Sequence, residues 1–159
     1  MNAYTAAQHR TWSHLFDLLA PRVAAHACGA HRRGLAMLDL SRDRIPTLDE
    51  VNARLEPASG WLLVDDRDAH RTAADYYAQV ARKRFPVSLL PRGESTLEYA
   101  PEPDVFHDLF GHAPLLTDPR VSDLEVLIAT TFLRVGESDR ERVKQLAWYS
   151  TEFGLVREE

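Results

Sequence analysis

The residues best equipped to do chemistry in this chain are two histidines and a glutamate. His107 and His112 lie in the stretch Tyr99-Ala-Pro-Glu-Pro-Asp-Val-Phe-His-Asp-Leu-Phe-Gly-His-Ala-Pro114, between two groups of prolines. Glu152 lies in Trp148-Tyr-Ser-Thr-Glu-Phe-Gly-Leu155, near the C-terminus. Two neutral imidazoles and one carboxylate on one face of a metal suit Fe(II) and leave positions open for oxygen, water and substrate. Zinc takes the same donors. The zinc-protease pattern His-Glu-x-x-His is absent, which sets that subtype aside. A dication held by the three would keep Glu152 ionised and both histidines neutral.

Spacing alone does not single these residues out. The chain has seven histidines, and His9/His14 and His26/His31 are also five residues apart. On a regular helix, residues i and i+5 are about 140° apart around the axis and about 7.5 Å apart along it. Imidazoles sharing one metal need ligating nitrogens about 3 Å apart. Two features distinguish the His107/His112 pair. Gly111 stands directly before His112 and can take a conformation that re-aims it. Pro114 then discourages continued helix through Ala113. The other five histidines read as solvated or core residues.

The elements that must position these residues follow from periodicity and punctuation. Trp12, Leu15, Phe16 and Leu19 recur at helical spacing over residues 5–20, and Pro21 is expected to end or kink that helix. Residues 22–39 continue as helix with interruptions around Gly29 and Gly34. Thr47 and Glu50 form a capping box opening a helix that buries Val51 and Leu55 and ends at Pro57, Ser59 and Gly60. Trp61–Val64 reads as a short strand, and residues 65–71 as a charged loop. Thr72 with Asp75 caps a helix over 73–84 that carries Tyr76, Tyr77 and Val80. Residues 85–90 read as a second strand, in which Pro86 requires a start or an edge.

Asp104 is the expected N-cap of a short helix over 105–110. A helix from Val121 to Val135 turns Leu124, Leu127, Ile128 and Phe132 inward. Ser138 and Glu141 pattern as a capping box for a last helix over 139–153, with Val143, Leu146 and Ala147 on one face. The sum is a mainly α fold with two short β-strands, in one domain spanning residues 1–159. The net charge of −5 argues against general nucleic-acid binding, which needs a basic face. A single cysteine, Cys28, fits a reducing cytoplasm. The N-terminus lacks a signal-peptide pattern, and no apolar run is long enough to cross a membrane.

Residues 101–118 closely resemble the iron-site signature of the tetrahydropterin-dependent aromatic amino acid hydroxylases, with the bacterial members acting on phenylalanine the nearest. Glu-Phe-Gly-Leu at 152–155 resembles the family stretch that carries the third ligand. Similarity extends upstream through Asp43–Pro46, Gly60-Trp61 and Arg84–Val87, and covers roughly residues 12–158. The resemblance implies His107, His112 and Glu152 as ligands of Fe(II). It implies Arg92 as the arginine that grips the amino acid carboxylate and Asp104 as its support. Tyr76 aligns with an aromatic residue that stacks on the pterin.

The implied activity is hydroxylation of phenylalanine or an analogue with O2 and a reduced pterin, in a shortened version of the family's catalytic fold. The chain reaches Glu159 seven residues after Glu152, where family domains continue. Residues 65–71 replace a glycine-leucine loop that contacts the pterin in relatives. Ala147 replaces a tyrosine, and Ala100 a small polar residue. These departures keep open a pterin-independent iron oxygenase and a non-catalytic metal-stabilised protein. An apolar face left uncovered by the shortening predicts a homodimer whose second subunit helps close the site.

Overall fold

The computed structural model describes residues 4–66, 72–93, 97 and 102–158. Its helices are α1 (Ala6–His26), α2 (Gly29–Leu38), α3 (Leu48–Ser59), α4 (Ala73–Val80), α5 (Pro119–Arg134) and α6 (Glu137–Ala147). Two strands, β1 (Leu62–Asp65) and β2 (Arg84–Val87), pair in parallel, Leu63 opposite Phe85 and Val64 opposite Pro86. In a two-stranded sheet every strand is an edge, so Pro86 removes no ladder bond that a third strand would need. The strand is shorter than the expected 85–90. It ends where the Ser88 N–H turns away to donate to Asp108 Oδ2 at 2.7 Å.

Local signals formed the expected helix starts at two caps, and a third box was not anticipated. Thr47 and Glu50 close a reciprocal box at α3, and Thr72 and Asp75 close another at α4. Thr5 and Gln8 do the same at α1. Other expectations are corrected. Helix α1 runs through Pro21 to His26. Pro21 and Asp17, whose carbonyl loses its helical partner, both lie on the exposed side, where water can replace the bond. The break falls instead at Ala27–Cys28.

Gly34 does not interrupt α2. A Cβ there would stand 1.9 Å from the carbonyl oxygen of Pro114, so the glycine permits α2 to lie against the turn after His112. Pro57 is accommodated inside α3, and α4 stops at Val80, before a turn in which Lys83 takes φ 57°. Leu127 is 61% exposed rather than inward. Ser138 and Glu141 form no box: α6 opens two residues earlier, with Gly136 as an N-cap that provides no side-chain bond. That helix also ends at Ala147, short of Glu152, and Leu146 is exposed.

The core runs between α1, α3, the sheet and α5. Trp12, Leu15, Leu38, Leu55, Trp61, Val87 and Ile128 are buried in it. Trp61 donates its indole N–H to Ser122 Oγ at 2.8 Å, which ties the start of β1 to α5. An aromatic stack fastens the histidine-bearing segment to α1: Trp12 meets Phe106 edge-on at 4.9 Å, Phe106 stacks on Phe110 at 4.7 Å, and Phe16 meets Phe110 edge-on at 5.2 Å. Burying side chains of this kind contributes about 1.5–3 kcal/mol each.

Candidate metal centre

The histidine segment begins at Asp104, which caps it: Oδ1 accepts the His107 N–H at 2.9 Å. After one α-type turn the backbone switches to a π-helical turn over His107–His112. The Ala113 N–H reaches back five residues to the Asp108 carbonyl at 2.9 Å. A π-turn widens the spiral and bonds residue i to i+5, which brings residues five apart much nearer to one face than an α-helix does. This is what aligns the two histidines. Their Nε2 atoms are 3.3 Å apart and their ring centroids 4.5 Å. Gly111 does not act by a special conformation, since among the described glycines only Gly60 has positive φ.

The third residue arrives by a second π-turn. Helix α6 passes at Trp148 into a π-turn over Trp148–Glu152, closed by the Phe153 N–H on the Trp148 carbonyl at 3.0 Å. Glu152 Oε1 lies 3.2 Å from His107 Nε2, and Oε2 lies 3.1 Å from His112 Nε2. One donor atom from each of the three falls within 4.8 Å of the others. Two imidazole nitrogens and a carboxylate oxygen converging on one point form a donor set of the right type and spacing for one divalent transition metal. Beyond Glu152 the chain loses regular structure, and Glu158 Oε1 accepts the Gly29 N–H at 2.7 Å.

Around the triad, Asp108 is the residue the sequence reading missed. The residue is 5% exposed. One oxygen faces His107 Nδ1 at 2.9 Å, while the other accepts from Ser88. A carboxylate on the far nitrogen of an imidazole fixes the ring's tautomer and makes its other nitrogen a better donor. An aspartate directly after a candidate ligand histidine was the available signal. Burial alone would lower the His107 pKa, but the carboxylates of Asp108 and Glu152 lift it to about 9. The same histidines, His107 first, hold the Glu152 carboxyl far below its usual range, against burial.

The structure brings Arg92 and Asp104 together. Arg92 Nε and one Nη meet the two Asp104 oxygens at 2.6 and 3.0 Å, a bidentate fork, and the Arg92 backbone N–H adds a third bond at 3.2 Å. The side chains are 12% and 6% exposed. Burial works to raise the Asp104 carboxyl, but Arg92 and the N–H of His107 hold it down. Tyr76 lies edge-on to Phe85 at 6.3 Å, and Phe85 lies 5.5 Å from the His112 ring. Tyr76 is thus one ring removed from the triad. Burial, with Glu125 and Asp108 next, pushes its phenol pKa up. Ala147, the last residue of α6, packs against the core. Ala100 and most of the 65–71 loop lie outside the described residues.

A family model described as biopterin-dependent aromatic amino acid hydroxylase matches residues 2–159. This chain belongs to that family. Within the family it is 36% identical to a phenylalanine-4-hydroxylase of Ralstonia nicotianae over 160 residues, which is 99% of this chain and 50% of that protein. It is 29% identical to a tyrosine 3-monooxygenase of Caenorhabditis briggsae, of which it covers 31%. The crystal structure of Chromobacterium violaceum phenylalanine hydroxylase with bound iron(III) and oxidised 7,8-dihydrobiopterin superposes with a TM-score of 0.93 at 33% identity. It covers 98% of this chain and 57% of that one. The mainly α fold with two short strands is therefore that of the family's catalytic chains. The chain spans about half the length of the bacterial relatives it matches. Among the described residues, no helix is long and apolar enough to cross a membrane.

Proposed function

We propose that this chain is a non-haem iron monooxygenase that hydroxylates phenylalanine or a related aromatic amino acid, with O2 and a reduced pterin as co-substrates. The observation that carries the reading is the convergence of His107, His112 and Glu152. Fe(II) on these three would supply dioxygen activation at its open positions. The rest is the work of the chain's own side chains. Asp108 orients His107 through Nδ1, so that Nε2 faces the metal position. Arg92, held by Asp104, is the group for the substrate carboxylate; its fork is already set in plane and its remaining N–H groups can meet a second carboxylate. Tyr76, one ring from His112, is the group for the flat pterin.

Water must be kept from such a site. His107 and Glu152 retain 31% and 29% side-chain exposure. Beside Glu152, Leu146, Trp148, Tyr149, Phe153, Leu155 and Val156 are all more than half exposed. The proposal therefore includes a homodimer in which a second copy covers this apolar run. A monodisperse monomer by light scattering at micromolar concentration refutes that part.

The deciding experiment loads the protein with iron anaerobically and measures metal content and oxygen uptake with phenylalanine, with and without tetrahydropterin. Wild type is compared with His107→Ala and Glu152→Ala. Iron near one per chain that both substitutions remove, with tyrosine formed only when pterin is present, is the expected result. Iron bound without pterin-dependent turnover removes the pterin reaction and keeps the metal centre. Iron unaffected by either substitution removes the centre itself.

A further inference from the structure

His31 is buried on α2, remote in sequence from the residues of the metal centre, and is 8% exposed. Its Nε2 lies 2.9 Å from the carbonyl oxygen of Phe110, inside the π-turn that carries both histidines of the metal centre. That carbonyl has a particular difficulty. In α-helical register its partner would be the N–H four residues on, and residue 114 is proline, which has none. Phe110 is 3% exposed, so water is a poor substitute, and a buried carbonyl left without a partner is costly. His31 meets that need from the neighbouring helix.

The protonation state follows from the contacts. A carbonyl only accepts, so Nε2 must carry the proton. Nδ1 is then bare, which agrees with its being buried without a hydrogen-bond partner. Burial in turn disfavours the charged ring. His31 is thus a neutral imidazole in one tautomer, aimed at the backbone of the π-turn, at Phe110 first and Gly111 beside it. The contact matters because the π-turn is a local choice of backbone register. In α-helical register, His107 and His112 would point about 140° apart.

We propose that His31 is a positioning residue of the metal centre: by donating from Nε2 to the Phe110 carbonyl it holds the π-turn in which His107 and His112 face one another. The inference rests on the metal reading above and adds to it a support on α2.

The test titrates Co(II), followed by its visible absorption, into wild type, His31→Phe and His31→Gln. Phenylalanine keeps a ring of similar size but has no donor, whereas glutamine retains an N–H. Loss of an outer support of a metal ligand weakens binding about 10–100-fold, and this loss is expected for His31→Phe, with His31→Gln close to wild type. Equal affinity in wild type and His31→Phe overturns the positioning role and leaves the metal centre standing. Equal losses in both variants overturn the donor role. Absence of Co(II) binding by wild type removes the metal reading and the inference with it. Should His31→Phe fail to fold, the tautomer in wild type decides: nitrogen NMR showing the proton on Nε2 supports the proposal, and a proton on Nδ1 refutes it.

Discussion

Replacing Gly34 by alanine tests whether α2 must touch the turn that follows the metal-site histidines. Helix propensity alone predicts stabilisation by about 1 kcal/mol, because glycine is the poorer helix former. The structure predicts the opposite sign. The new Cβ would stand 1.9 Å from the Pro114 carbonyl oxygen, 2.6 Å from its carbon and 2.7 Å from Thr117 Oγ1. A carbon and an oxygen rest comfortably at about 3.3 Å, so helix and turn must separate by about 1.4 Å. Two of these three atoms are backbone and cannot swing aside.

Overpacking of this kind costs about 1–3 kcal/mol. Set against the propensity gain, and with rigid backbone favouring the upper half of that range, the net loss is about 1–2 kcal/mol. For a chain of this size that lowers Tm by about 2–8 °C. Because Pro114 follows His112 by two residues, the displacement should also weaken Co(II) binding. Gly111→Ala is the control, since among the described residues nothing beyond its own turn and chain neighbours lies within 4 Å of its Cβ. It should melt at or above the wild-type temperature and retain the metal. Thermal melts followed by circular dichroism measure both variants; Gly34→Ala melting at or above wild type would show that the Gly34–Pro114 contact imposes no constraint.

Three further outcomes follow from other contacts. Trp61→Phe leaves the Ser122 hydroxyl, 2% exposed, without its indole partner, and urea unfolding should show a loss of about 1–3 kcal/mol; no loss would mean that the indole bond contributes nothing net. Arg92→Lys replaces the planar fork on buried Asp104 by a single ammonium. It should cost about 1.5–3 kcal/mol in the same assay, and unchanged stability would count against a structural Arg92–Asp104 pair. Asp118 caps α5 and pairs with Arg120, which holds its carboxyl down to about 2 from 3.8. A depressed carboxyl stabilises the fold fully above its unfolded value and loses that effect as pH falls through the folded one. The stability gap between wild type and Asp118→Asn should therefore be full at pH 5 and narrow as the pH is lowered through about 4 to 2; a gap independent of pH contradicts the pairing.

What the sequence made legible was what it encodes locally. Thr47 with Glu50 and Thr72 with Asp75 announce helix starts because each cap is satisfied within four residues. The two strands were legible as short apolar runs after turn signals. The candidate metal triad was not legible from spacing, since three histidine pairs share it and an ideal helix would separate the partners. Its recognition came from the resemblance of residues 101–118 and 152–155. The geometric reason is a change of helical register, which leaves no periodic mark in side-chain hydropathy. For the same reason the last helix was drawn too long, through Glu152.

The glycine roles were exchanged. Gly111 adjoins His112 and reads from sequence as the special one, but it has ordinary φ and open space beside it. Gly34 reads from sequence as an interruption, whereas it is a point of close approach that sequence cannot reveal, because its partner Pro114 is eighty residues away in the chain. Leu127 shows a related failure: its place in the apolar pattern of α5 suggested burial, but pattern cannot say where the packed neighbours stop.

The two π-turns have a consequence for how this site can vary. A π-turn is an α-helix that contains one residue too many, and both arms of the triad depend on such an extra residue, one within His107–His112 and one within Trp148–Glu152. The site is therefore counted in residues as well as built from side chains. Single-residue deletions within either turn would restore ordinary helix and swing a ligand out of line without removing it. Among variants and relatives, length across these two segments should be held more strictly than residue identity at Leu109 or Ser150. A gap opened there marks the loss of the site even where both histidines and the glutamate are still written in the chain.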